Sequence, residues 1–282
     1  MIEVEGLTFR YGAGEPAVRG VGFSVGAGEI FGFLGPSGAG KSTTQKVLIG
    51  LLRPYEGDVR VLGQDLRSYG PEYYERIGVG FELPNHFVKL SAIENLRFFA
   101  SFYRSAADPM DLLARVGLEE RATQRVEGFS KGMTMRLNFV RALLHDPDVL
   151  FLDEPTSGLD PANARALKDM VVEQRERGKC IVLTTHNMLD ADELCDRVAF
   201  LVDGRVERLG TPAELKADVE ERAVRVEYRD GGAVASATFG LDGLGGDERF
   251  LALLRERDIV SVHSQEQTLE DVFLTATGRR LS

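Results

Sequence analysis

The sequence predicts an α/β fold. Its parts are a mainly parallel sheet, an antiparallel β region at the N-terminus, an inserted α-helical lobe and a small C-terminal β/α appendage. Three observations carry this. A Gly-rich stretch, Gly35 to Thr43, is entered from the apolar run Ile30 to Leu34 and leaves into a helical pattern, Lys41 to Leu52. Two further apolar runs, Val149 to Leu152 and Cys180 to Thr184, have the composition of parallel strands buried on both faces. Between them and the first run, residues 84 to about 145 carry only helical periodicity, as a separate lobe would.

Ile2 to Phe9 alternates as a strand, and Tyr11 follows it before a loop with Gly12, Gly14 and Pro16. Val21 to Val25 reads as a second strand before the run Ile30 to Leu34, and Asp58 to Val61 and Arg76 to Phe81 as two more after the first helix. Ser91-Ala92-Ile93-Glu94 is a capping box that opens a helix rich in Phe98, Phe99, Phe102 and Tyr103. These aromatics are expected mainly in the core of the lobe, with a minority lining a groove. A shorter helix ends at Gly117, and a third carries Met133, Leu137, Val140 and Leu144 on one face. Asp160 with Pro161 starts a helix that runs to Gly178, and Met188 to Cys195 forms another. Val198 to Val202 and Arg205 to Leu209 form a hairpin about Asp203-Gly204, and Thr211-Pro212-Ala213-Glu214 opens one more helix. From about Glu221 the texture changes to alternating strands, Val224 to Tyr228 and Ala233 to Phe239. A helix Glu248 to Glu256, a strand Ile259 to Val262 and a last helix capped by Thr268 follow. The expected domains are therefore 1–220 and 221–282.

Composition excludes several classes. The 282 residues, 43% hydrophobic, suffice for a sizeable core. A formal net charge of −10 argues against a surface built for nucleic-acid phosphates, so no nucleic acid is expected as a partner. No run approaches the roughly 18 apolar residues of a membrane span, and Met1 to Glu5 lacks a secretion signal. A cytoplasmic location is expected, with any membrane association made through a partner. Cys180 and Cys195 lack metal-type spacing and read as buried free thiols.

Gly35-Pro36-Ser37-Gly38-Ala39-Gly40-Lys41-Ser42-Thr43 matches Gly-x-x-x-x-Gly-Lys-Ser. Gly35, Gly38 and Gly40 allow the backbone N–H groups to turn inward around an anion, Lys41 brings a point charge, and the hydroxyl of Ser42 is placed to ligate Mg²⁺. Asp153 closes an apolar strand and Glu154 follows at once. Two adjacent carboxylates there are costly unless a cation or substrate uses them. Asp153 is assigned to the metal, and Glu154 to orienting or deprotonating an attacking water. Tyr11 is equally suited to stacking on an adenine ring or to packing at a strand end.

Val149 to Pro161, with Val-Leu-Phe-Leu-Asp-Glu-Pro-Thr-Ser-Gly-Leu-Asp-Pro, resembles the metal-binding strand and following loop of ATP-binding-cassette ATPases. Phe129-Ser130-Lys131-Gly132-Met133 resembles the signature motif of that family, and His186 its switch histidine. The order and spacing match over roughly residues 1 to 215. The resemblance implies a P-loop NTPase core with a RecA-like sheet and a head-to-tail dimer. In it, ATP would lie between the phosphate loop of one copy and Ser130, Lys131, Gly132 and Met133 of a second. Ser130 read alone is a helix N-cap, and Asp160, which would reach across the dimer, is one also.

Three positions depart from the common pattern. Lys131 and Met133 within the signature are similar to prokaryotic exporter ATPases, drug-efflux types among them, as is the tail Leu269 to Leu274 before Thr277-Gly278-Arg279. That resemblance implies a separate transmembrane permease subunit. Glu82 stands where the family places a glutamine that ligates Mg²⁺; a glutamate retains an oxygen donor and adds negative charge. The expected function is Mg²⁺-dependent ATP hydrolysis driving export. The alternative is a nucleotide-gated dimerising module with little turnover.

Overall fold

The computed structural model describes residues 1–217, 223–265 and 267–278. The chain divides into two units, Met1–Pro212 and Ala213–Gly278. The expected boundary near Glu221 falls within 218–222, outside the described residues, as does Arg279.

The first unit begins with β1 (Ile2–Arg10) and β2 (Pro16–Val25), which pair antiparallel. Ile2, Val4, Leu7 and Phe9 point inward, and a register shift between Val4 and Leu7 keeps them on one face. β3 (Ile30–Leu34) is buried along its whole length and ends in the phosphate loop, from which α1 (Lys41–Leu48) departs. That helix is shorter than expected: Gly50 takes φ 82°, which breaks the pattern before Leu52. β4 (Glu56–Val61) and β5 (Gln64–Asp65) complete a four-stranded antiparallel sheet in the order β2-β1-β4-β5.

β6 (Ile77–Gly80) returns to the second sheet and leads to the helical lobe: α2 (Ala92–Ala100), α3 (Pro109–Arg115) and α4 (Lys131–Ala142). Ser91 and Glu94 form the expected capping box. Leu137 and Val140 are buried in α4, as is Leu144 just past its end, whereas Met133 is half-buried. The expected burial of the lobe aromatics does not hold. Phe98 and Phe102 are 40% and 64% exposed, and Phe99 and Tyr103 are half-buried. Phe98, Phe99 and Phe102 cluster with exposed Phe87, Tyr103 stacks on His145, and Ile93, Leu96, Leu112, Leu113 and Phe139 are the buried residues of the lobe instead.

β7 (Val149–Asp153), α5 (Pro161–Glu176), β8 (Cys180–Thr185), α6 (Met188–Leu194), β9 (Arg197–Val202) and β10 (Arg205–Gly210) finish this unit. Asp160 and Asn187 cap α5 and α6 with their side chains. The six-stranded sheet has the order β10-β9-β3-β8-β7-β6, parallel except for the β9–β10 hairpin, which turns at Asp203 and Gly204 with φ 48° and 80°. Its middle strands are apolar on both faces, as strands covered on both sides require. Cys180 and Cys195 are buried free thiols.

α7 (Pro212–Ala217) begins at the boundary, and the second unit continues with β11 (Ala223–Asp230), β12 (Ala233–Gly240), α8 (Glu248–Glu256), β13 (Asp258–Gln265) and α9 (Leu269–Thr277). The sheet order is β12-β11-β13, antiparallel throughout. Val224, Val226 and Phe239 form a small core with Ala237, Phe250, Leu253 and Ile259. Thr268 and Asp271 make a capping box at α9.

Candidate nucleotide site

The strand order brings the site together. β3 delivers the phosphate loop, β7 delivers Asp153 two strands away, and β8 lies between them with Leu34 opposite Thr185 and Thr184 opposite Asp153. The loop Ser37 to Thr43, Glu82, Asp153, Glu154 and His186 line one cleft of about 300 Å³. Gly35 and Pro36 lie at its base, where the Lys41 ammonium donates to the Gly35 and Pro36 carbonyls at 2.5 and 3.1 Å.

Gly35 and Gly40 are dictated by backbone contact. A Cβ on Gly35 would lie 2.1 Å from the Leu201 carbonyl oxygen, and one on Gly40, at φ 102°, would lie 2.6 Å from that of Ala17. Lys41 is buried, and desolvation pulls its ammonium below its ordinary 10.5, while Glu154, Asp153 and Glu82 act in the opposite sense. The ammonium and the start of α1 bring positive charge to the cleft, where an anion would be held.

Asp153 and Glu154 are both buried. The Asp153 Oδ1 accepts from Thr184 Oγ1 and, at 3.4 Å, from Ser42 Oγ. Glu154 Oε1 accepts from the His186 backbone N–H at 2.9 Å and lies 2.7 Å from its Nδ1; Oε2 accepts from Thr185 Oγ1 at 3.1 Å. Thr184 and Thr185 thus hold the two carboxylates in place, a role the reading of Cys180 to Thr184 as a plain apolar strand missed. Two adjacent hydroxyls at the end of such a strand were the available signal. Among the described residues no three His, Cys, Asp or Glu side chains form a metal site by themselves. Ser42, Asp153 and Glu82 are a sparse, all-oxygen donor set, which fits a hard cation that takes its other ligands from phosphate and water.

Glu82 is fixed from behind. Asn138 of α4 donates to the Phe81 carbonyl at 2.8 Å, and Arg141 reaches Asn138 Oδ1 at 2.7 Å, the Asn85 carbonyl at 3.0 Å and His86 Nδ1 at 3.4 Å. Burial and the adjacent guanidinium push His86 down to about 4, so the ring is neutral. Its Nε2 donates to the Thr134 carbonyl at 3.3 Å, and Nδ1 accepts from Arg141. The loop carrying Glu82 is therefore bonded to the same helix that Ser130 opens.

Other expected residues stand apart from the cleft lining. Tyr11 is 53% exposed, its hydroxyl 3.2 Å from Thr43 Oγ1 and its ring edge-on to Phe9 at 5.0 Å. Ser130 caps α4 by accepting from Met133 N–H at 3.2 Å, and the Lys131 stem lies against Gly158. Ser130, Lys131, Gly132, Met133 and Asp160 do not line the cleft of their own chain. The Asp160 carboxyl is held below its usual range by hydrogen bonds from Asn163.

A phosphate loop flanked by a β7 carboxylate pair, with an inserted helical lobe that opens on a Ser-capped helix, defines a nucleotide-binding cassette. The chain belongs to the ABC transporter family, as an ATP-binding cassette. It is an ATPase of that class.

The family model "ABC transporter" matches residues 18–157, and "Fluoroquinolone efflux ABC transporter C-terminal domain" matches residues 222–266. The chain is 60% identical over 285 residues to the fluoroquinolones export ATP-binding protein of Mycobacterium tuberculosis (strain ATCC 25618 / H37Rv), covering 100% of this chain and 95% of that one. It is 35% identical to the Nod factor export ATP-binding protein I of Rhizobium meliloti (strain 1021), over 99% of this chain and 89% of the relative. Among solved structures, an ATP-binding subunit of an ABC transporter superposes with a TM-score of 0.71 at 34% identity, covering 77% of this chain and 92% of that one. A dimeric post-hydrolysis ATP-binding cassette bound to ADP and Pi superposes at 0.69 and 28% identity, over 75% and 98%.

Proposed function

We propose that this chain hydrolyses ATP as one half of a head-to-tail pair of identical subunits, and that closure and reopening of the pair drives a separate transmembrane permease. The supporting observation is the division of the site residues. The phosphate loop, Glu82, Asp153, Glu154 and His186 share one cleft, while Ser130 to Met133 and Asp160 lie off it, as residues serving another copy's nucleotide would.

In this reading the loop amides and Lys41 bind the ATP phosphates, and Tyr11 stacks on the base. Ser42, Asp153 and Glu82 would hold Mg²⁺, which would supply charge neutralisation for the phosphates. Glu154, clamped by Thr185 and His186, orients the attacking water and accepts its proton. Ser130, Lys131, Gly132 and Met133 of the second copy close on the terminal phosphate from the N-terminus of α4.

Among the described residues no helix is long and apolar enough to cross a membrane. The chain would therefore be held at the inner face of the cell membrane by the permease. The landing surface is the aromatic group Phe87, Phe98, Phe99 and Phe102 beside a groove lined by Tyr74, Val79, Phe81, Tyr103 and Arg141. Exposed aromatics of this density suit burial against an apolar helix end. The transported compound is read as a fluoroquinolone-type drug, from the close similarity to the mycobacterial protein of that name.

Co-purification of the tagged chain from native membranes tests this. Recovery of a multi-span subunit with ATP hydrolysis supports it; recovery of a stable nucleic-acid complex without such a subunit overturns it.

A further inference from the structure

Glu154 is the residue of the site whose backbone is under strain: at φ 49° it occupies the left-handed region, which a non-glycine side chain resists. Such a conformation persists only where its surroundings over-determine it. Part of the restraint comes from β8, through Glu154 N–H to the Thr184 carbonyl at 2.9 Å and through Thr185 and His186 on the carboxylate. The other side is the loop after Glu154, which runs through Thr156 to Asp160. Within it, Ser157 N–H donates to the Glu154 carbonyl at 3.1 Å and Leu159 N–H to that of Thr156 at 3.1 Å.

That loop is anchored by a residue of α6 outside the cleft. Asp190 is buried, 8% exposed, and its Oδ2 accepts from Thr156 Oγ1 at 2.6 Å and from Asn187 Nδ2 at 2.9 Å. Its Oδ1 accepts from Lys168 Nζ of α5 at 3.2 Å, so the buried charge is paired and both oxygens are bonded. Asn187 N–H in turn donates to Thr185 Oγ1 at 3.0 Å, and Thr185 holds Glu154. The bonds therefore close a ring: Glu154, Thr185, Asn187, Asp190, Thr156 and back through Ser157 to Glu154.

We infer that Asp190 is a positioning residue for hydrolysis: by clamping Thr156 against the start of α6, it fixes the strained Glu154 and the adjacent His186 in one geometry. This rests on the reading of Glu154 as the group that activates water. Asp190 does not touch the phosphate loop, so its removal acts on turnover and leaves nucleotide binding intact. Loosening a catalytic carboxylate by an ångström costs on the order of tenfold to a hundredfold in rate.

The test compares Asp190→Ala, Thr156→Val, Thr156→Ser and Glu154→Gln for kcat, KM and binding of a fluorescent ATP analogue in the full chain. Thr156→Val keeps the shape of the side chain and puts a methyl group in place of its hydroxyl, so it carries the test even if Asp190→Ala fails to fold. We expect kcat to fall about ten- to a hundredfold in Asp190→Ala and Thr156→Val, with analogue affinity at the parent value, and Thr156→Ser to hydrolyse like the parent. Parent-like kcat in Thr156→Val, or an equal loss of affinity, overturns the inference. If Glu154→Gln itself hydrolyses at the parent rate, the reading of the site fails and the inference with it.

Discussion

Glu154 Oε1 lies 2.7 Å from His186 Nδ1, and because a carboxylate only accepts, that ring nitrogen carries a proton. In the neutral ring the outward Nε2 is then a bare acceptor.

His186 is expected to act through this pairing. His186→Ala removes the ring beside Glu154 and should lower kcat by about tenfold or more. A kcat at the parent value would remove His186 from the account.

Glu82 is expected to set the metal dependence of turnover. It faces the cleft with Asp153 and Glu154 and acts on Lys41 in concert with them. Glu82→Gln keeps an oxygen donor and removes one negative charge, so its Mg²⁺ half-saturation should move several-fold from that of the parent. Superimposable Mg²⁺ titrations would remove Glu82 from the account.

His86 gives the protein an acid sensitivity. Its folded value of about 4 lies below the ordinary 6.5, so between those limits the unfolded chain binds the extra proton and the folded chain does not. Its contribution is complete above about pH 6.5 and is lost as pH falls toward 4. Urea unfolding of His86→Gln should therefore depend less on pH than that of the parent across this window, with a smaller stability difference between pH 7 and pH 5.

Much of the site could be read from local sequence because its parts are local. Lys41 and Ser42 follow their glycines directly, Asp153 and Glu154 are neighbours, and Ser91, Ser130, Asp160 and Thr268 cap the helices that follow them. What escaped was long-range or depended on a covering surface. Thr184 and Thr185 matter only because β8 lies between β3 and β7, and Asn138 only because α4 packs beside the Glu82 loop. Phe98, Phe99, Phe102 and Tyr103 have the composition of a core, and the pattern of one helix does not reveal which face another element covers. The first helix ends at Leu48 because Gly50 turns left-handed, a choice apolar periodicity through Leu52 does not encode.

The central claim is a composite site in which Glu154 completes hydrolysis after two copies have closed. Size-exclusion chromatography of Glu154→Gln with and without ATP and Mg²⁺ measures this most directly. The account predicts a shift from monomer to dimer that needs ATP, with the nucleotide recovered unhydrolysed. A variant that stays monomeric with ATP bound, or that turns ATP over at the parent rate, contradicts it.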